Sequence, residues 1–359
     1  MANDVSGYAA LHSRVRIMFS GLLTVQQVAL LRDAASLPAL VAVLKNTPYG
    51  PYLTATDEKE LTARRTEAQL KQKVADAYLA VIHSAPGHDR ALLIQFLRHF
   101  EVRNLKAVLR GIVIGSSWEQ IQNILFPLGT LSTLPAQQML ESGNIEAAVA
   151  QLTGTPYFET LTQAMKRYAS EQSLFPLEIA LDLNYWRKLW GAVAQLPGLD
   201  HAQAVRIIGT IVDVTNLMWA LRYHSYYHLS EEEVINYTLP FGYHVRDEDI
   251  RAIAAGADAA RIVERLYPGL RNVEALLQDP ERGLPKLELE LQRRMRQQFI
   301  AVFESYPFTI GLALALVQLS ELELQDLIVL IEAKSLQLPA EEYEPYLLMG
   351  ENLNEKSPA

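Results

Sequence analysis

The feature that most constrains this chain is an internal repeat, because a repeated helical unit buries its apolar face only against other copies of itself. In the segment Ser36–Leu44, Ser36 is a good N-cap. Leu37, Leu40, Val41 and Leu44 follow it at helical spacing on one face. Thr47-Pro48-Tyr49 closes the segment. Asn144 opens a second copy with Ile145, Ala148, Val149 and Leu152, which ends at Thr155-Pro156-Tyr157, 108 positions further on (155 − 47). Asp258 opens a third, with Ala259, Ile262, Val263 and Leu266, ending at Tyr267-Pro268-Gly269. Each copy has a similar helix in front, starting at Leu23-Thr24, at Leu131-Ser132 and at Val245-Arg246-Asp247.

A second marker repeats independently. Glu101-Val102-Arg103-Asn104-Leu105 leads to Leu109-Arg110, and Asp213-Val214-Thr215-Asn216-Leu217 leads to Leu221-Arg222. Glu323-Leu324-Gln325-Asp326-Leu327 leads to Ile331. The central residues lie 112 and 110 apart (216 − 104 and 326 − 216). Two unlike markers with one spacing argue against coincidence. The first marker begins near the N-terminus and the second ends near the C-terminus. Two units are then continuous, 96–206 and 207–318. The remaining one is assembled from both ends, 1–95 with 319–359. That register predicts an all-α molecule of three similar subdomains in a closed, pseudo-three-fold arrangement, where an open solenoid would need distinct capping repeats.

Composition narrows the function. Half of the 359 residues are hydrophobic, ample for a buried core. The net charge of −9 offers no dominant basic face for nucleic acid, although Arg293, Arg294 and Arg296 form a local basic spot. With no cysteine there is no disulfide, thiolate chemistry or zinc–cysteine site. The N-terminal stretch does not read as a secretory signal. The longest apolar run, around Ile310–Val317, is shorter than the ~18 residues of a membrane span. The polar tail 351–359 reads as disordered.

No phosphate loop, dinucleotide fingerprint, nucleophile elbow or H-E-x-x-H motif is present, so no catalytic residue, cofactor or metal site is assigned. His224 and His228 have the spacing of two metal ligands but lack a third. Glu231, Glu232 and Glu233 look instead like a helix start, with Ser230 and Glu233 as a capping box. Pairs such as Asp247 and Asp249 read as a solvated helix face. Asn104 and Asn216, with Asp326 in the third copy, are more unusual, because such residues cost stability inside a helix. They read either as buried hydrogen bonds that fix how helices cross or as a polar ring facing a central cavity. Arg110 and Arg222 either pair between units with carboxylates such as Asp213 or Glu101, or face a partner.

In sequence the chain resembles the C subunit of the prokaryotic V-type (A-type) rotary ATPases, the counterpart of the d subunit of the eukaryotic vacuolar enzyme. The matching segments begin with Tyr8, Leu11, Arg14-Val15-Arg16, Met18 and Thr47-Pro48-Tyr49. They continue with Asn104-Leu105-Lys106, Leu109-Arg110, Phe175-Pro176-Leu177-Glu178, Asp182 and Tyr185. The order is kept through Asp213, Asn216-Leu217, Trp219, Leu221-Arg222-Tyr223, Leu239-Pro240, Gly242 and Tyr306-Pro307-Phe308. The resemblance implies an all-helical funnel with a central cavity and no active site. Such a funnel sits on the cytoplasmic side of the membrane proteolipid ring, receives the tip of the rotor shaft made by the D and F subunits, and transmits torque. Near the C-terminus the family tends to have a lysine and then Glu-x-Arg-Asn-Leu. This chain has Gln318 and Glu323-Leu324-Gln325-Asp326-Leu327, so a contact made there by basic residues would differ. Without the resemblance, the reading that remains is a helical-repeat scaffold for some other protein partner.

Overall fold

The computed structural model describes residues 5–54, 61–227 and 229–349, and it contains no strand among them. Helix α1 (Val5–Ser20) is followed by three runs of elements, each with a pair of short helices and then two longer ones, the second and third runs having one further helix directly after the pair. The first short pair, α2 (Val25–Asp33) and α3 (Leu37–Leu44), leads into α4 (Ala63–Ser84) and the long α5 (Gly87–Ile114). After α6 (Trp118–Ile121) comes the pair α7 (Ala136–Glu141) and α8 (Ile145–Ala150), then α9 (Phe158–Glu171), α10 (Phe175–Val193) and the long α11 (Gly198–Arg222). After α12 (Glu231–Tyr237) comes the pair α13 (Asp247–Ala254) and α14 (Ala259–Leu266), then α15 (Val273–Gln278), α16 (Pro280–Val302) and the long α17 (Gly311–Ser335), with α18 (Ala340–Tyr343) last.

Local chemistry sets these boundaries. Ser36, Asn144 and Asp258 cap α3, α8 and α14, each accepting from the backbone N–H three residues on. A cap of this kind contributes about 1 kcal/mol. Ser230 and Glu233 form the expected capping box at α12. Prolines stand in the first turn of α3, α10 and α16, where a missing N–H costs nothing. Gly115, at φ 68°, ends α5 in the left-handed conformation.

The long helices α5, α11 and α17 carry Asn104, Asn216 and Asp326. Each packs along the helix that precedes the next long one: α5 on α10, α11 on α16, and α17 on α4. The last pairing joins the C-terminal part of the chain to the N-terminal part. Helix α1 reinforces it by packing on both α4 and α17. The apolar run at 310–317 is core: Ala313, Leu314, Ala315, Leu316 and Val317 are fully buried. A different stretch, Gly198–Tyr227, is long and apolar enough to cross a membrane, but 72% of its most apolar window is buried inside the molecule. It is one of the long core helices. The expected unit limits at 95/96, 206/207 and 318/319 fall inside α5, α11 and α17, because the marker that defines them sits mid-helix.

Candidate functional site: a cavity between three equivalent helices

The three central markers do the same job. Asn104 Oδ1 accepts from the Phe126 N–H at 2.7 Å, and its Nδ2 donates to the Phe126 carbonyl at 2.9 Å. Asn216 treats Leu239 in the same way, at 2.8 and 2.9 Å. Asp326 takes the N–H groups of Leu348 and Met349 at 2.7 and 2.9 Å. Each side chain thus clasps an extended segment 22 or 23 residues downstream, where buried backbone groups need partners. The difference between amide and carboxylate follows from the clasped segment. Pro127 and Pro240 follow the first two clasped residues and have no N–H to give, so the second bond goes to a carbonyl and requires a donor. Met349 has an N–H, so the third clasp needs a second acceptor.

One turn earlier stands a second buried acid. Tyr157 Oη donates to Glu101 Oε2 at 2.6 Å, and the Thr133 N–H donates to Glu101 Oε1. Tyr49 Oη donates to Glu323 Oε1 at 2.8 Å, and the Leu23 N–H to Glu323 Oε2 at 2.5 Å. The tyrosines of the Thr-Pro-Tyr marker therefore bond to the acids of the other marker, which is why the two travel together at one spacing. Asp213 is a methylene shorter. It holds the Tyr243 and His244 N–H groups at 2.8 and 2.6 Å, and no hydrogen bond joins it to Tyr267. Gly242 makes that wrap feasible, since a Cβ there would stand 2.2 Å from Asp213 Oδ1. Burial raises the pKa of Asp213, against the lowering effect of these N–H bonds.

Arg110 and Arg222 pair with neither Glu101 nor Asp213. Those acids are buried in the core and already taken, Glu101 by Tyr157, Thr133 and Arg98, and Asp213 by the Tyr243 and His244 N–H groups. Arg110 instead makes a bidentate pair with Glu178 of α10, at 2.6 and 2.7 Å. Arg222 pairs with Glu288 of α16 at 2.6 Å. The third equivalent position, six residues after Asp326, is Glu332, and it faces Glu67 of α4. Burial first, and then the contact with Glu332, pushes the Glu67 carboxyl up to about 7, although Lys71 and Arg64 pull it down. Glu178 belongs to the Phe-Pro-Leu-Glu segment, yet nothing in that segment matches it to Arg110. Only the helix pairing reveals that match, and Glu67 carries no sequence signal at all.

His228 lies outside the described residues, as does the tail 351–359. Among the described residues no group of three histidine, aspartate or glutamate side chains could hold a metal. The three long helices, together with α4 and α16, line an open cavity of about 860 Å³, with Asn104 and Arg103 of α5, Thr215 of α11, Gln325 of α17, Lys71 of α4 and Met295 of α16 on its walls. Asn216, Asp326 and Arg222 are not among its lining residues, while Arg110 and Glu288 are. A second cavity, of about 1030 Å³, lies between α16, Arg206 and the segment leading from α18, and holds Arg293 and Arg294. Arg293 bonds the Leu347 carbonyl at 2.6 Å and Arg294 the Pro268 carbonyl at 2.9 Å, so the basic spot pins loops.

The family model described as ATP synthase (C/AC39) subunit matches residues 11–346. The C subunit of the A-type ATP synthase of Methanocaldococcus jannaschii is 26% identical over 359 residues, covering 97% of this chain and 88% of that protein. The protein of the same name in Methanothermobacter thermautotrophicus is 25% identical, covering 92% and 85%. The C subunit of the V-type ATP synthase of Deinococcus radiodurans is 28% identical over 182 residues, about half of each chain. With a match running from α1 to the segment after α18, the chain belongs to the ATP synthase (C/AC39) subunit family.

Proposed function

We propose that the chain is a non-catalytic adaptor in the central stalk of a rotary A/V-type ATPase. In this reading the cavity receives the tip of the shaft formed by the D and F subunits. The body rests on the proteolipid ring at the cytoplasmic face of the membrane and turns with it, passing torque between the two. The observation that carries the reading is the 860 Å³ cavity, walled by the same face of three equivalent helices. A socket around an axis suits a shaft. The names of the relatives place them in A-type and V-type ATP synthases.

The three-unit ring belongs to this proposal. Its units begin at the starts of α5, α11 and α17, and the third is completed by α1 to α4. The hydrogen bonds from Leu23 and Tyr49 to Glu323 support that closure. Asn104, Asn216 and Asp326 serve as internal clasps that stiffen each unit, and Arg110 and Arg222 as latches between neighbouring helices. A stiff body is what torque transfer needs, and close packing with satisfied polar groups supplies it.

The test is coexpression with the D and F subunits and, separately, with the purified proteolipid ring. Capture of both partners in one stoichiometric complex is the expected result. A chain that binds neither is a scaffold for something else. Single cysteines introduced at Ala107 and Val329, in a chain that has none, should crosslink to the shaft tip.

A further inference from the structure

The three walls of the cavity are alike in backbone but not in charge. One residue before each clasp, and lining the cavity in all three walls, stand Arg103, Thr215 and Gln325. Thr215 Oγ1 donates back to the Ile211 carbonyl at 2.8 Å. Gln325 Nε2 donates to Gln292 Oε1 at 3.2 Å. Arg103 is exposed and has no hydrogen bond or ion pair among the described residues. The other charges in the cavity are engaged internally. Lys106 pairs with Asp182, Arg110 with Glu178, and Glu288 with Arg222. Lys71 donates to the Ile124 carbonyl at 3.0 Å. Glu321 accepts from Tyr78 and Gln318 and contacts His99 at 3.0 Å. Glu67 sits against Glu332, with Lys71 and Arg64 nearby. The α11 wall contributes Ile211 and Val214, both apolar.

A socket with three identical walls would accept a shaft tip equally well in three orientations, a third of a turn apart. One unengaged guanidinium on one wall removes that degeneracy. Arg is also suited to the task, because its planar fork grips a carboxylate through two parallel hydrogen bonds. We infer that Arg103 sets the rotational register of the inserted tip, by pairing with a carboxylate carried on one side of it, while the apolar α11 wall receives an apolar side of the same tip. The inference rests on the shaft-socket reading above. A charge-assisted hydrogen bond in a site closed by the tip favours the matched orientation by about 10- to 100-fold over the other two.

The experiment uses the assembled complex with the D and F subunits. Single cysteines are placed on half-buried residues of the three walls, as Ala107→Cys, Ile211→Cys and Val329→Cys, each against one cysteine on the tip. The expected result is crosslinking concentrated on one wall. Moving the charge, with Arg103→Thr and Thr215→Arg together, should transfer the crosslink to a different wall at unchanged helical content by circular dichroism. If the doubly substituted chain does not fold, Arg103→Gln alone serves, and should spread the crosslink over several walls. Equal yields on all three walls of the unaltered chain overturn the inference, as does a crosslink that stays on one wall after the charge is moved or removed. Loss of all capture by the unaltered chain is a separate outcome: it overturns the socket reading, and this inference with it.

Discussion

At the residue scale, the choice between asparagine and aspartate is decided by a residue more than twenty positions away. A clasp facing a proline-terminated segment needs one donor and one acceptor, and a clasp facing two N–H groups needs two acceptors. Asn104→Asp should therefore destabilise the protein by about 2–3 kcal/mol, because an acceptor oxygen would replace the Nδ2 donor and stand against the Phe126 carbonyl oxygen. Asn216→Ala should cost about 2–4 kcal/mol, because the Leu239 N–H and carbonyl are left buried without partners. Both are read from urea midpoints at constant slope. Asp326 adds a pH signature. Burial, opposed by its two N–H bonds, raises its carboxyl from 3.8 to about 6. The native state thus holds this proton more firmly than the unfolded chain does. The contribution from Asp326 is fully present below about pH 3.8 and is lost as pH rises through about 6. The fall in stability between those values should be shallower in Asp326→Asn than in the unaltered chain, whatever its absolute stability.

At the scale of elements, the pairing of each long helix with its neighbour is held by unequal bonds. Arg110 is 61% exposed in its pair with Glu178, so Arg110→Ala should cost less than about 1 kcal/mol. Glu323 is 4% exposed and serves Leu23, Tyr49 and Lys73 at once. Glu323→Ala should cost about 3–5 kcal/mol, because it leaves a buried N–H, a phenol and an ammonium without their acceptor. Thermal unfolding of the two variants side by side separates these cases. The α4–α17 seam lacks the arginine that the two sister seams have. Glu67, raised from 4.5 to about 7, is proton-bound in the folded chain below that pH, and its stabilising contribution is lost as pH rises through about 7. Glu332→Arg should give the seam the bond its sisters have, raising stability by up to about 1 kcal/mol at about pH 8 and by less at about pH 5, where Glu67 of the unaltered chain is already proton-bound and does not repel Glu332.

At the scale of the molecule, the chain's two ends depend on one another. Helix α17 packs on α3, α4 and α1, and Glu323 accepts from the Leu23 N–H. Loss of that acid should therefore loosen a region 300 residues away in sequence. Hydrogen exchange of Glu323→Ala should accelerate in segment 23–49 far more than in the matching segment 133–157, which Glu101 holds. Equal acceleration in the two segments would count against closure of the third unit through both ends.

The sequence by itself was enough for the helical class, the three-fold recurrence, the caps at Ser36, Asn144 and Asp258, and the family resemblance. All of these rest on spacings within a few residues or on one spacing repeated along the chain. Periodicity and caps are local properties of a helix, so a linear string carries them. It also flagged Asn104, Asn216 and Asp326 as costly and hence purposeful. What it could not supply was their partners, because Phe126, Leu239 and Leu348 present ordinary backbone groups, and nothing in a side chain advertises an unsatisfied peptide. Nor could it match Arg110 to Glu178 or set Glu332 against Glu67, since those pairs form only where separate helices are laid side by side. The tertiary structure decided which face of each long helix turns inward. That choice left Arg103, on one wall of the cavity, without a hydrogen bond or ion pair among the described residues, while the other charges lining it are bonded.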